Sequence, residues 1–291
     1  MFRGTHLPDS RVSEVSRRLR SRADRILAVV WFMPEAQTGF SELGLSPGAS
    51  SMGSRVAPLG PVPGAVAAAV VAPHEPTRVA AAVDEAWHAT DPATLLAARL
   101  DAATAHLARI LGPAPPGIEW AVALLRPVVE AAPSEGHALF AGLRSLPWPD
   151  TPLGDLWRAC DMVRERRGGS HLNAWVAAGL DPVELLLLTE QWRANPNPGS
   201  AGPAEMGWSD AETAAGRDRL RSRGFLDGDD RITPSGRAFR DEIELATDRQ
   251  ERAVVEALGD DVDELFDLLA PWARAVMARA EWPVMPEGGR A

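Results

Sequence analysis

The sequence predicts a mainly α-helical protein with a winged helix-turn-helix domain in its C-terminal half. Its N-terminal half is helical and readable as a degenerate winged-helix copy. Three observations carry this expectation. Apolar residues recur at helical spacing, as at Leu95, Leu96, Leu100, Leu107 and Leu111, and again at Val262, Leu265, Leu269, Trp272 and Val276. Residues 207–249 read as helix, hairpin, helix. The segment FSELGLSP at 40–47 echoes WVAAGLDP at 175–182, each following a long helical stretch, as an internal repeat would.

Within 207–249, Ser209 is suited to N-cap a helix and Glu212 stands at the capping-box position three residues on. That helix is expected to run to about Arg223 and stop at Gly224, a residue that accepts the left-handed C-cap conformation. Phe225-Leu226 and Arg231-Ile232-Thr233 flank the polar turn Asp227-Gly228-Asp229-Asp230, the pattern of a short hairpin or wing. Thr233-Pro234 then opens a second helix, with threonine as N-cap and proline at the first helical position.

The stretch RLRSRGFLD, followed by RITPSGRAFRDEIE, resembles the recognition helix, wing and return helix of MarR-type winged-helix regulators. In those, an LxxRGL helix end precedes a charged wing and an LTxxGR helix start. APLGPV (57–62), LPWPD (146–150), LWRACDMVRERRGGSH (156–171) and AAGLDPVE (177–184) extend the likeness to the SalK-like helix-turn-helix group over much of 55–250. This resemblance implies an architecture; it implies no established activity.

The chain of 291 residues is comfortable for two domains. A division is expected at the Pro-rich segment 147–152: an arm at 1–12, an N-terminal helical domain at 13–146, and a winged-helix-like domain at 153–291. Helices are expected at Leu153–Arg167 and, after a Gly168-Gly169 break, from a Ser170 cap through His171–Ala178. The small apolar stretch 65–72 fits either a strand or a buried helical turn.

Net charge is −10, and every side-chain cation at neutral pH is an arginine, because the chain has no lysine. The prospective reading region 210–237 balances six arginines against six acids. DNA affinity rests largely on phosphate neutralisation, so this balance argues against strong nonspecific binding. The lone Cys160 excludes an internal disulfide and a cysteine zinc cluster. No run of apolar residues reaches membrane-span length, and a cytoplasmic location is the expectation. No metal-ligand spacing, GxSxG nucleophile, phosphate loop or dinucleotide fingerprint occurs, and no cofactor is expected.

Candidate ligand-binding residues are His171, His74, Arg55, Trp31 and Trp175. Histidine titrates near neutral pH and serves as acid, base or ligand contact; the alternative for His171 is a helix-start residue bonded to backbone, and for His74 an exposed turn. Arg55, in a loop that also matches the SalK-like group, offers a planar fork for an anion. Trp31, Trp87 and Trp175 could wall a flat ligand or simply fill the core. Candidate DNA contacts are Arg217 and Arg221, one helical turn apart, and Arg231 on the wing; the competing reading is a solvated face neutralised by Asp218, Asp227, Asp229 and Asp230. Together these favour a ligand-responsive regulator that binds a small molecule between its halves and reads DNA as a homodimer. The alternative is a winged-helix scaffold that has lost DNA binding and acts on a small molecule, as binder or enzyme, through His171, His74 and Arg55.

Overall fold

A computed structural model describes residues 6–27, 34–193 and 202–279. Trp31, named above, lies outside them. In order, the α-helices are α1 (Asp9–Leu27), α2 (Pro34–Glu42), α3 (Pro47–Val56), α4 (Gly64–Val70), α5 (Pro76–Ala89), α6 (Pro92–Leu111) and α7 (Ile118–Ala131). They continue with α8 (Ala138–Ser145), α9 (Pro152–Ala177), α10 (Pro182–Trp192), α11 (Asp210–Ser222), α12 (Pro234–Gln250), α13 (Arg252–Leu258) and α14 (Val262–Ala278).

Helix α9 is the axis, and α1, α6, α7, α8 and α12 pack around it. A helix enclosed on every side needs apolar residues all round, and Leu156, Trp157, Cys160, Met162 and Val163 are all buried. So are Arg158, Asp161, Glu165, Arg166 and Arg167, because each reaches a partner on another element or the preceding loop, or, for Asp161 and Glu165, is reached by one. Arg99 of α6 donates to Asp161 at 3.0 Å, and Arg167 donates to Asp248 of α12 at 2.8 Å.

The helix does not break at Gly168-Gly169 as the sequence suggested; α9 runs through both. A helix tolerates an internal glycine at a cost of about 1 kcal/mol, and packing explains this one. A Cβ on Gly169 would lie 2.8 Å from Cδ2 of His137, so the glycine lets the loop before α8 approach. Ser170 is accordingly no cap. Its hydroxyl donates to Glu251 at 2.5 Å inside the core.

The ambiguous stretch at 65–72 is helical, most of it in α4, with Gly64 closely facing the backbone of Ala80 in α5. The α14 stripe predicted from spacing is buried, and it packs against α1, α6 and α7 of the same chain. Arg252 holds the start of α1 by ion-pairing with Asp9 and donating to the Leu7 carbonyl at 2.6 Å.

A second core joins the end of α9 to α10, α11 and α12 through Trp175, Leu180, Val183, Leu187, Leu188, Leu220 and Ile243. The predicted wing is present as a single antiparallel bridge, Leu226 to Ile232. Thr233 closes it by donating from its amide to the Phe225 carbonyl at 3.0 Å. The two echoing segments share local structure: Gly44 and Gly179 have φ of 74° and 72°, and each precedes a capped helix beginning with proline. No β-bridge follows α6 among the described residues.

Gly236 in the first turn of α12 sits on the backbone of Phe225; a Cβ there would lie 2.3 Å from its carbonyl oxygen. Gly236→Ala is expected to destabilise the fold by about 1–3 kcal/mol despite alanine's better helix propensity. A lower thermal midpoint with unchanged helical circular dichroism at 20 °C (roughly room temperature) is the readout.

Candidate ligand cleft and reading helix

Both C-terminal motif helices begin with full capping boxes, Asp181 with Glu184 in α10 and Ser209 with Glu212 in α11. They pack closely because Gly216 has no side chain: a Cβ there would meet Val183 Cγ1 at 2.7 Å. The connection between them spans 193–209, whereas a compact helix-turn-helix joins its helices in about three or four residues.

The three arginines predicted to contact DNA each stand beside an acid. Arg221 pairs with Asp218 and with Asp230, both at 2.6 Å. Arg231 pairs with Asp229 at 2.8 Å but is 73% exposed. Arg217 is 3.9 Å from Asp230, and it also faces inward to a cleft.

That cleft, about 750 Å³, opens where α9, α10, α11 and α12 meet α1, α3 and the segment 202–206. Its lining includes Arg167, Gly168 and His171 from α9, Thr189 and Glu190 from α10, and Arg193 just beyond α10. Thr213 and Arg217 from α11, Arg240 and Glu244 from α12, Arg20 from α1 and Arg55 from α3 complete it. The 202–206 segment is fastened to the turn before α5. Trp208 donates from its indole to the Pro73 carbonyl at 2.9 Å, and the Glu75 amide donates to the Met206 carbonyl at 2.9 Å.

Of the predicted ligand contacts, the structure brings His171 and Arg55 to this cleft. His171 lies within α9 rather than at a helix start, with Nδ1 3.2 Å from the Thr247 hydroxyl. That hydroxyl donates to the Ile243 carbonyl at 2.8 Å, so the histidine is the donor through Nδ1–H and its Nε2 is left as an acceptor. Burial, with Arg240 and Arg167 nearby, lowers its pKa to about 3. Arg55 stands in the last turn of helix α3 rather than in a loop, and donates from Nε and Nη2 to Glu165 at 2.9 and 3.0 Å, a fork engaged by a carboxylate of α9. His74 belongs to the turn that holds the 202–206 segment and does not line the cleft; burial and Arg55 lower its pKa to about 4. Trp175 is packed in the second core and Trp87 donates to the Val62 carbonyl, so neither forms a cleft wall.

Sequence reading missed Arg167, Arg193, Arg240 and Glu244. Arg240 and Glu244 stand one turn apart on α12 and pair at 2.8 Å. Burial works to raise the Glu244 carboxyl, but Arg240 and its neighbours outweigh it and hold the pKa at about 2. A usable signal for Arg167 existed in the four consecutive charges Arg164-Glu165-Arg166-Arg167.

The chain belongs to a helix-turn-helix family, whose family model matches residues 16–283. No curated protein and no solved structure matches it. Among the described residues, no single helix is long and apolar enough to cross a membrane, and no three His, Cys, Asp or Glu side chains group to hold a metal ion.

The titrations give the fold an acid-side weakness. His171 and His74 stay neutral in the fold down to about pH 3 and 4, whereas the unfolded chain protonates them near 6.5. The unfolded state therefore binds more protons across this window, and stability falls as pH drops from about 7 toward 4. Glu244 adds a further loss only as pH falls below 4.5 toward about 2. Urea midpoints measured from about pH 7 to about pH 4 should fall in the native protein and fall less steeply in His171→Gln.

Proposed function

We propose that the protein is a ligand-responsive helix-turn-helix transcriptional regulator of MarR-like, SalK-like architecture. In this reading a small molecule binds in the cleft between its N-terminal and C-terminal halves. The observation that carries this reading is that Arg217 and Thr213, on the prospective reading helix α11, are also cleft lining. A ligand there touches the DNA-reading element directly, without an intervening relay.

A ligand shifts such a protein only by binding one conformation better than another. The contacts that differ here are those of Arg217. It either stays near Asp230 or turns to the ligand, and Asp230 also holds Arg221 at 2.6 Å. Occupancy of the cleft thus bears on which arginines of α11 are available to phosphates or base edges. A homodimer would present two copies of α11 to successive half-sites.

A second reading rests on a specific observation: the arginines of α11 and of the wing are already accompanied by Asp218, Asp229 and Asp230 on a chain of net charge −10. A scaffold with its reading face neutralised in this way would bind the small molecule without reading DNA.

Fluorescence anisotropy with DNA from around the protein's own gene, at low and at moderate salt, separates the two. The regulator reading expects saturable binding that survives competitor DNA and weakens by about tenfold or more in Arg217→Ala or Arg221→Ala. No binding at low salt, where phosphate attraction is strongest, removes that reading and leaves the ligand-binding scaffold.

A further inference from the structure

The cleft floor has more guanidinium groups than carboxylates to meet them. Of the lining arginines, Arg20, Arg55, Arg164, Arg167 and Arg240 share Asp24, Glu165, Glu244 and Asp248 as ion-pair partners, and Asp248 is also engaged by Arg17 from outside the lining. Arg193 stands close enough to Arg20 and Arg240 that both lower its pKa, after burial, and it has no ion-pair partner among the described residues. The remaining carboxylates on the lining, Glu190, Glu205 and Asp210, are exposed at the rim. The internal segments outside the description, 28–33 and 194–201, contain no charged residue that could balance the floor.

Arg240 sharpens the imbalance. It is 2% exposed, and it donates from Nε to Thr189 at 3.0 Å and pairs with Glu244 through Nη2. Its Nη1 is buried with no hydrogen-bond partner. A buried guanidinium donor left unmatched is costly, so a native structure that retains one at a cavity wall points to an acceptor from outside the chain. His171 contributes the opposite polarity, since its Nδ1–H is spent on Thr247 and its Nε2 can only accept.

We infer that the cleft takes a small hydroxylated or N–H-bearing anion. Its carboxylate or phosphate sits among Arg167, Arg193 and Arg240, and its hydroxyl or N–H donates to Nε2 of His171. The inference rests on the cleft being a ligand site, as in the function proposed above, and it does not require DNA binding. Among the described residues the lining offers charged and polar groups rather than an aromatic wall, which favours an anion over an uncharged flat ligand.

The test is isothermal titration of the full-length protein with two matched pairs of probes, glycerol 3-phosphate against propyl phosphate and 3-hydroxybutyrate against butyrate. The expected result is millimolar or tighter binding of the hydroxylated member of one pair. Its advantage over the unhydroxylated member, about tenfold, should vanish in His171→Leu. Whichever pair binds identifies the anion. Arg193→Gln, at a half-buried site with no ion pair to break, should weaken binding about tenfold, and Arg240→Gln should weaken it further if that variant folds. No binding of any probe, or binding indifferent to Arg193→Gln, overturns the inference. Anisotropy on the same samples keeps the two readings apart. DNA binding without anion binding defeats only the ligand class, and anion binding without DNA binding defeats only the regulator.

Discussion

The structure depends on pairing the charges that α9 carries into the interior. An isolated ion in a protein core is prohibitively costly, and a buried pair is tolerated only with good geometry. Five charged residues of α9 are buried, so neighbouring helices must arrive in positions that satisfy them. Arg99 brings α6 to Asp161, Arg55 brings α3 to Glu165, and Asp248 brings α12 to Arg167. The apolar residues of α9 supply the drive for collapse, while these pairs fix which helix lies on which side.

The cleft follows from the same constraint. Where α9 faces the junction of α10 and α12, the arginines it presents and those it meets outnumber the acids, and the helices remain apart around a polar space. Closing that space would press Arg193, which has no ion-pair partner among the described residues, against Arg167 and Arg240, which already share Glu244. The chain therefore holds a cavity next to α11, lined in part by Thr213 and Arg217 of that helix.

Much of the helical framework was legible because its signals are local. The caps at Asp91, Asp181, Ser209 and Thr233 each act within one turn of backbone, and each opens a helix; the Pro/Gly/Ser-rich stretch from Ser46, which reads as a loop, instead forms α3 with Ser46 as its cap. The α14 stripe was equally plain, since apolar spacing is a property of one helix. The error at Gly168-Gly169 was the converse case: two glycines read as a break because local propensity was the only guide, while α9 runs through both, and Gly169 is needed because His137, over thirty positions away in sequence, packs where a Cβ would stand. Of the candidate site, His171 and Arg55 were found through resemblance, but Arg167, Arg193 and Arg240 looked like ordinary surface or helix arginines.

By itself the sequence determined that the protein is helical, where most helices begin, that the C-terminal half contains a helix, a tight turn and a return helix, and that arginine is its only cationic side chain. Those properties reside in neighbouring residues and composition. Tertiary structure decided that α9 is one buried axis, that α14 docks within the chain, that the wing is reduced to one bridge, and that Trp175 is core while His171 borders a cavity. It also decided which arginines lack a carboxylate. Counter-charges arrive from residues far away in sequence, and the balance around a guanidinium exists only after the helices have packed.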